Sequence, residues 1–525
     1  MFTSRDRVVS LPETLLLACV FAALAAFFTF IAWHRFVDGD EGFYLLASRL
    51  VLEHKRPYLD FFYTQAPLLP YVYGAWMRCF GVTWLSGKLL AALLTALLGS
   101  LMSAEVLHLT RRWFAALLAA LLFASSTLIF GFYPVVKSYS LAGLLLFGAY
   151  VLVSKTSADV SLWVPGAAGL LLGLSVSTRS YLVLTLPILL CWIIKNSEQA
   201  LRGSVLSFLC GFGAGVVPCL YLFAASPRAF LFNNVGYHAL RSNGGLLGMW
   251  SEKVFALLAV FLSRVESNGL QTSLIFISSL VLLRSMPKRR YAPRLAFQMA
   301  LAIGLISLLP TPVHPQYFCL AIPFLLLTAV CAFADYLARL ERGPARVGVA
   351  VLCGVLVAGY VGAAVGDFRR YLVTGDDVPG LEPGLANDYR LAQVLAVSRA
   401  VDQIAAPGET VASFWPGYIF QTHAEPLRGL ENDFSLPIAG VLSAERRAAY
   451  NIVAPEDVEA GFEAHQPRVV VLRDHISVPS NVEYRQKVRV VEDELRASLK
   501  AQGYYRVGVV DDISIYAFSP RVAGY

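Results

Sequence analysis

Runs of apolar residues long enough to cross a bilayer recur down the first two thirds of this 525-residue chain, and they limit its fold more than any other feature. The first runs from Leu11 to Trp33. About 20 apolar helical residues match the thickness of the hydrocarbon layer. We read eleven such spans, near 12–33, 85–108, 113–132, 137–154, 162–178, 181–195, 204–224, 269–285, 295–310, 317–335 and 347–365, with 254–265 as an ambiguous further helix. Hydrophobic residues make up 57% and charged residues 15%, which excludes an ordinary soluble fold. The expected class is a polytopic α-helical membrane protein. The first run is too long for a signal-peptide core and has no small-residue cleavage site, so it is expected to stay as an anchor.

Basic residues orient the spans. Arg5 and Arg7, Arg111 and Arg112, Lys155, Lys195 and Arg202, Lys288 to Arg290 with Arg294, and Arg339, Arg342 and Arg346 fall on alternate loops. An odd number of spans gathers them on one side, which reads as cytoplasm. The segment 34–84, the loop 226–268, the turn 311–316 and everything after about 366 are then outside. Lys55, Arg56, Arg228 and Arg241 lie on that outer side, where topology does not require them, and are candidates for binding an anion. The net charge of +7 fits loops facing anionic lipid, and no nucleic-acid module is present. The eight cysteines include no CxxC pair, which argues against a disulfide framework or a zinc site.

The composition changes after Ala364. TGDDVPGLEPG reads as a linker, Asn387 to Ile404 has helical periodicity, and TVASFW, RVVVLRD and YRVGVVDDISIYAF read as strands, the last as a hairpin. Two domains are expected: a membrane domain over 1–366 and a small α/β accessory domain over 367–525.

Directly after the first span comes FVDGDEGFY, which places Asp38, Asp40 and Glu41 beside hydrocarbon, where carboxylates are costly unless they serve a function. Two readings of Asp40 stand. It precedes a helical pattern, EGFYLLASRLVLEH, and suits an N-cap, with Glu41 complementing the helix dipole. It also suits a rigidly held acid at the rim of a helix bundle. The helix from Glu41 is amphipathic and is expected to lie along the interface, with Arg49, Lys55 and Arg56 toward headgroups. Further on, the outer segments carry Lys137 in FYPVVKSYS, Arg179 in STRSYL, His238 and Arg241 in NNVGYHALRSNGG, and His314 and Tyr317 in HPQYF.

The Asp40–Glu41 pair, the following helix, and the stretch PYLDFFYTQAPLL returning to the membrane resemble the first outer loop of the GT-C glycosyltransferases. The pattern is most similar to the protein O-mannosyltransferase group with its lipid A aminoarabinose and galacturonic acid transferase branches. GLLLGLSVSTRSYLVLTLPILL at 169–190, HPQYFCLAIPFLLL at 314–327 and the trailing PGETVASFWPGY extend the likeness over most of the chain. The resemblance implies inverting transfer of a monosaccharide from a polyprenyl phosphate to a lipid, glycan or protein acceptor. It implies a bacterial inner-membrane setting with the site and the trailing domain facing the periplasm. Asp40 takes the place of the family's base. Glu41 and Asp60 are expected near the acceptor or an ion, and Asp38 as a solvated loop residue. Arg179, Lys137, His314, Tyr317, His238 and Arg241 are expected near the donor phosphate, because a guanidinium fork suits phosphate geometry. Snorkelling to headgroups is the competing role for Arg179. Some relatives add an acid in the second outer loop to help hold a divalent cation. Here that loop has Lys137 instead, so no metal or other cofactor is firmly implied. In the trailing domain, Trp415 and Tyr418 are sugar-stacking or core aromatics, and Asp376, Asp377, Asp511 and Asp512 are calcium ligands or exposed turn residues. A transporter or flippase of a lipid-linked sugar is the alternative class. It accounts for the bundle but not for the acid-bearing outer loop or the outer domain.

Overall fold

The computed structural model describes residues 10–156, 161–197, 201–240, 245–263, 268–286, 292–341, 343–373, 390–473, 495–511 and 513–518. Helix α1 (Leu11–His34) starts on Pro12, with the Glu13 carboxylate accepting the Ser10 N–H at 2.9 Å. Its inner face, Val20, Leu24, Phe28, Ile31 and Ala32, packs on the long helix α4 (Trp84–Thr110). Between them α2 (Glu41–Leu52) and α3 (Leu68–Phe80) form the outer loop.

Among the described residues four helices are long and apolar enough to cross a membrane: Leu11–His34, Trp84–Thr110, Pro315–Arg339 and Pro344–Arg369. Leu201–Gly215 and Val217–Ala225, counted together, are a fifth, bent by 51° ahead of Pro218, where a proline removes a helix bond. Shorter apolar helices fill the other expected positions, so length alone does not fix the number of spans at eleven. The 113–132 run is broken into α5 (Trp113–Ala124) and α6 (Thr127–Phe132). At the break Gln271 bonds the Ser125 carbonyl (2.7 Å) and the Thr127 N–H (2.9 Å), satisfying backbone groups that lipid cannot. Then come α7 (Ser138–Ser154) and α8 (Trp163–Thr178). Glycines let α8 approach the Leu201–Gly215 helix backbone to backbone. A Cβ on Gly173 would lie 2.8 Å from the Gly215 Cα. That contact fixes the helix whose end carries Arg179.

The Pro344–Val373 helix runs through position 366, so the boundary expected there falls inside a helix. Asp376 and Asp377 lie outside the described residues, as do Asp512 and Arg241. Asp511 takes the left-handed turn before the last strand, at φ 54°. The trailing region forms a five-stranded sheet under the helix Leu391–Ile404. Its strands are β1 (Thr410–Ser413), β2 (Glu425–Pro426), β3 (Val469–Arg473), β4 (Tyr504–Val510) and β5 (Ile513–Phe518), in the order β2-β1-β3-β5-β4. β2, β1 and β3 run parallel, β5 pairs antiparallel to β3, and β5 and β4 form the expected hairpin. The two-residue strand β2 has no alternating pattern to announce it.

This small domain sits on the first outer loop. Arg49 is buried and directs its guanidinium to the carbonyls of Ile419 (3.0 Å), Thr422 (3.0 Å) and Ala424 (2.6 Å), with Glu53 on its Nε at 2.7 Å. Lys55 pairs with Glu425 at 2.7 Å, and Asn451 donates to the carbonyls of Tyr58 and Leu59. The expectation that Arg49 faces lipid headgroups is corrected here. It is covered by protein, because four carbonyls, that of Phe420 included, offer a guanidinium more than an interface does, whereas Lys55 and Arg56 keep exposed side chains.

Candidate active site

Three carboxylates follow the first span, and the fold gives each a different environment. Glu41 opens α2 and turns fully inward. It accepts bonds from Lys88 Nζ (3.1 and 2.8 Å), the Asp38 N–H (2.9 Å) and the Val136 N–H (3.0 Å). Both partners of this ion pair are wholly buried. Glu41 therefore faces the protein and offers no oxygen to an acceptor or ion, contrary to the expectation for it. It ties the first outer loop to the second.

Asp38 is buried as well, which corrects its reading as a solvated loop residue. Its Oδ1 accepts the Asp40 N–H (3.0 Å) and pairs with Lys137 Nζ at 2.8 Å. Burial opposes its charge, but Lys137 at contact distance, helped by Arg35, outweighs burial and holds the carboxyl below the usual range.

Asp40 differs from both. Its side chain is 31% exposed against 4% for Asp38, so it is the acid a substrate can reach. Its Oδ2 lies 2.9 Å from Lys137 Nζ. The N-cap reading is half right. Asp40 occupies the cap position of α2, yet its side chain makes no capping bond and points to the lysine instead.

Lys137 binds Asp38, Asp40 and the Gln316 Oε1 (3.2 Å) at once. An ammonium has three N–H donors, and these three acceptors use them all. The two carboxylates supply the counter-charge that its burial requires. The expected phosphate contact is corrected accordingly: Lys137 is committed to the acids.

The next residue, Ser138, accepts a bond from Arg179 Nη1 at 3.0 Å. Arg179 ends α8, is buried, and stands among the rings of Tyr139 (4.3 Å), Tyr181 (5.0 Å) and Tyr317 (5.6 Å). Among the described residues no carboxylate pairs with it. Its burial also removes the snorkelling alternative. Tyr317 thus joins the site, and His314 packs edge-on against it at 5.5 Å. His238, in the short helix Tyr237–Leu240, lies elsewhere, against the first outer loop, with Nε2 3.2 Å from the Thr64 carbonyl. Asp60 is held by Arg56 through its N–H (2.7 Å) and Nε (3.3 Å), as a turn acid would be.

Three contributors were not foreseen: Lys88, Ser138 and Gln316. Only Lys88 had a signal, since a lysine near the start of the apolar run WLSGKLLAALL is costly without a buried partner. Trp415, read as a sugar platform or core aromatic, donates its indole N–H to the Gly39 carbonyl at 2.8 Å, between the two aspartates. It stacks on Trp84 and meets Tyr418 edge-on. Gly42 leaves room for this docking, because a Cβ there would come within 2.6 Å of the Gly417 nitrogen.

Lys137 stands where a divalent cation shared by Asp38 and Asp40 would have to sit. The corner between Asp38 and Asp40 already holds an ammonium, and among the described residues no three His, Cys, Asp or Glu side chains are placed to hold a metal ion.

No family model and no curated protein sequence matches the chain. Solved structures do. ArnT from Cupriavidus metallidurans bound to undecaprenyl phosphate superposes with a TM-score of 0.64 at 16% identity, covering 97% of this chain and 99% of that one. Its apo state gives 0.63. The Archaeoglobus fulgidus oligosaccharyltransferase gives 0.51 at 16% identity over 97% of this chain and 75% of that one. The chain is a multi-pass membrane protein with the GT-C fold.

Proposed function

We propose that this protein is an inverting glycosyltransferase that moves one monosaccharide from a polyprenyl phosphate carrier to a lipid, glycan or protein acceptor at the periplasmic face of a bacterial inner membrane. The observation that carries the reading is a pair of opposites held on one dipeptide. Lys137 grips the accessible acid Asp40, and Ser138 grips Arg179, a buried guanidinium with no carboxylate partner among the described residues. A buried cation without an internal counter-ion suits an anionic ligand. The ArnT structure that shares this fold holds undecaprenyl phosphate, which supports a phosphate-bearing lipid as that ligand.

The chemistry follows from the two ends. Asp40 accepts the proton of the acceptor as its oxygen or nitrogen bonds to the anomeric carbon. The bond from that carbon to the phosphate oxygen breaks, and the carrier leaves as a phosphomonoester. Charge gathers on its oxygens, where a preorganised guanidinium stabilises it most. Lys137 holds Asp40 in place. The three tyrosine rings around Arg179 hold the fork rigid, so little of its binding energy goes into ordering it.

Substituting Asp40→Asn and following sugar transfer from a radiolabelled polyprenyl phosphate sugar in proteoliposomes tests this. We expect turnover to fall by about 10²- to 10⁴-fold with undecaprenyl phosphate binding retained. Full transfer by the variant, or lipid movement without transfer in the wild type, refutes it.

A further inference from the structure

The corner between the first two acids points to a specific way of working. Asp38 Oδ1, Asp40 Oδ2 and Gln316 Oε1 converge on one point, and that point is occupied by the Lys137 nitrogen at 2.8, 2.9 and 3.2 Å. The second oxygen of Asp38 is buried and has no hydrogen-bond partner among the described residues. Hard oxygen donors converging in this way are what a small divalent cation takes. The ammonium supplies one positive charge at the same place and repels any ion arriving there.

We infer that Lys137 is the built-in cation of this site, replacing a divalent ion between Asp38 and Asp40, and that exchanging it for aspartate turns the same corner into a divalent-metal site. The inference rests on the transferase reading for its purpose but not for its test. An aspartate is shorter than a lysine. An ion seated about 2.1–2.4 Å beyond its oxygens recovers most of the lost reach. Lys137→Asp then offers three carboxylates and the Gln316 carbonyl, and the Glu41 bond to the Val136 N–H keeps the second outer loop in register.

The full-length protein and its variants in detergent are titrated with Mn²⁺ by calorimetry, with thermal unfolding recorded alongside. The wild type is expected to take up no Mn²⁺ at this corner, and its thermal unfolding to be indifferent to EDTA. Lys137→Asp is expected to bind one Mn²⁺ per chain, at least about tenfold more tightly than the wild type, as added ligand charge dictates. Stoichiometric Mn²⁺ binding by the wild type that Asp40→Asn abolishes overturns the proposal. So does a cooperatively unfolding Lys137→Asp that takes up no Mn²⁺. If Lys137→Asp does not unfold cooperatively, Lys137→Ala is read in its place: it leaves Asp38, Asp40 and Gln316 facing the gap. A Mn²⁺-dependent rise in its melting temperature supports the inference, and no rise overturns it. These readouts need no turnover, so a chain that transfers no sugar still passes or fails them.

Discussion

Lys137 Nζ stands 2.9 Å from Asp40 Oδ2, while the neighbouring Ser138 accepts a hydrogen bond from Arg179. Two residues at the start of α7 therefore set the separation between the accessible acid and the buried guanidinium. Predictions about the site follow from that coupling.

Arg179→Lys keeps the charge but loses the planar fork and its packing among three tyrosines. Undecaprenyl phosphate affinity is expected to weaken by about 1.5–3 kcal/mol, since a point charge replaces two parallel donors. Calorimetric titration of the lipid into the detergent-solubilised protein measures this. An unchanged affinity would remove Arg179 from the donor site.

Lys88→Met leaves Glu41 buried with no counter-charge. We expect a loss of about 3–5 kcal/mol in stability. Most of it should return in the double variant Lys88→Met with Glu41→Gln, which neutralises the acid and keeps an acceptor for the Val136 N–H. Thermal unfolding of the four proteins in a double-mutant cycle reads the coupling.

Trp415→Phe removes the indole bond to Gly39 and keeps most of the ring stacking on Trp84. The expected cost in stability is about 0.5–1.5 kcal/mol. Turnover should fall while carrier affinity stays, because the bond lands on the loop that aims Asp40. Equal effects on both would make Trp415 a general support and nothing more.

Glu431, in the trailing domain, titrates away from the membrane. Burial pushes its carboxyl up to about 7, against the pull of the Gly429 N–H and of Lys55 and Arg428. Between the ordinary carboxyl range and that value the folded state holds a proton that the unfolded chain has released. Stability therefore falls as pH rises through this window and is greatest below it. The full effect is on the order of 3 kcal/mol. Glu431→Gln, which can still accept the Gly429 N–H, should flatten that part of the pH dependence and stabilise the protein at pH 8. Unfolding of both proteins at pH 5 and pH 8 measures the difference.

The sequence made the acids legible because charge beside hydrocarbon is expensive, and the apolar runs placed most helices within a few residues. It did not say which acid faces in. Glu41 and Asp40 are adjacent, and what separates them is Lys88, from a helix 47 positions away. Lys137 read as a phosphate contact because its true partners come from the first outer loop and from Gln316, 179 positions on. The amphipathic pattern of α2 was real. Hydropathy cannot tell a lipid surface from a protein surface that arrives 370 residues later.

Gly39 and Trp415 lie 376 residues apart in the chain. The ribosome delivers Asp40 among the first segments to enter the bilayer, and the tryptophan that braces its loop only after the last long helix has followed. A nascent chain with all its helices inserted still lacks that brace and the carbonyls that grip Arg49. The setting of Asp40 thus depends on docking of the trailing domain, which is made after the helices it rests on.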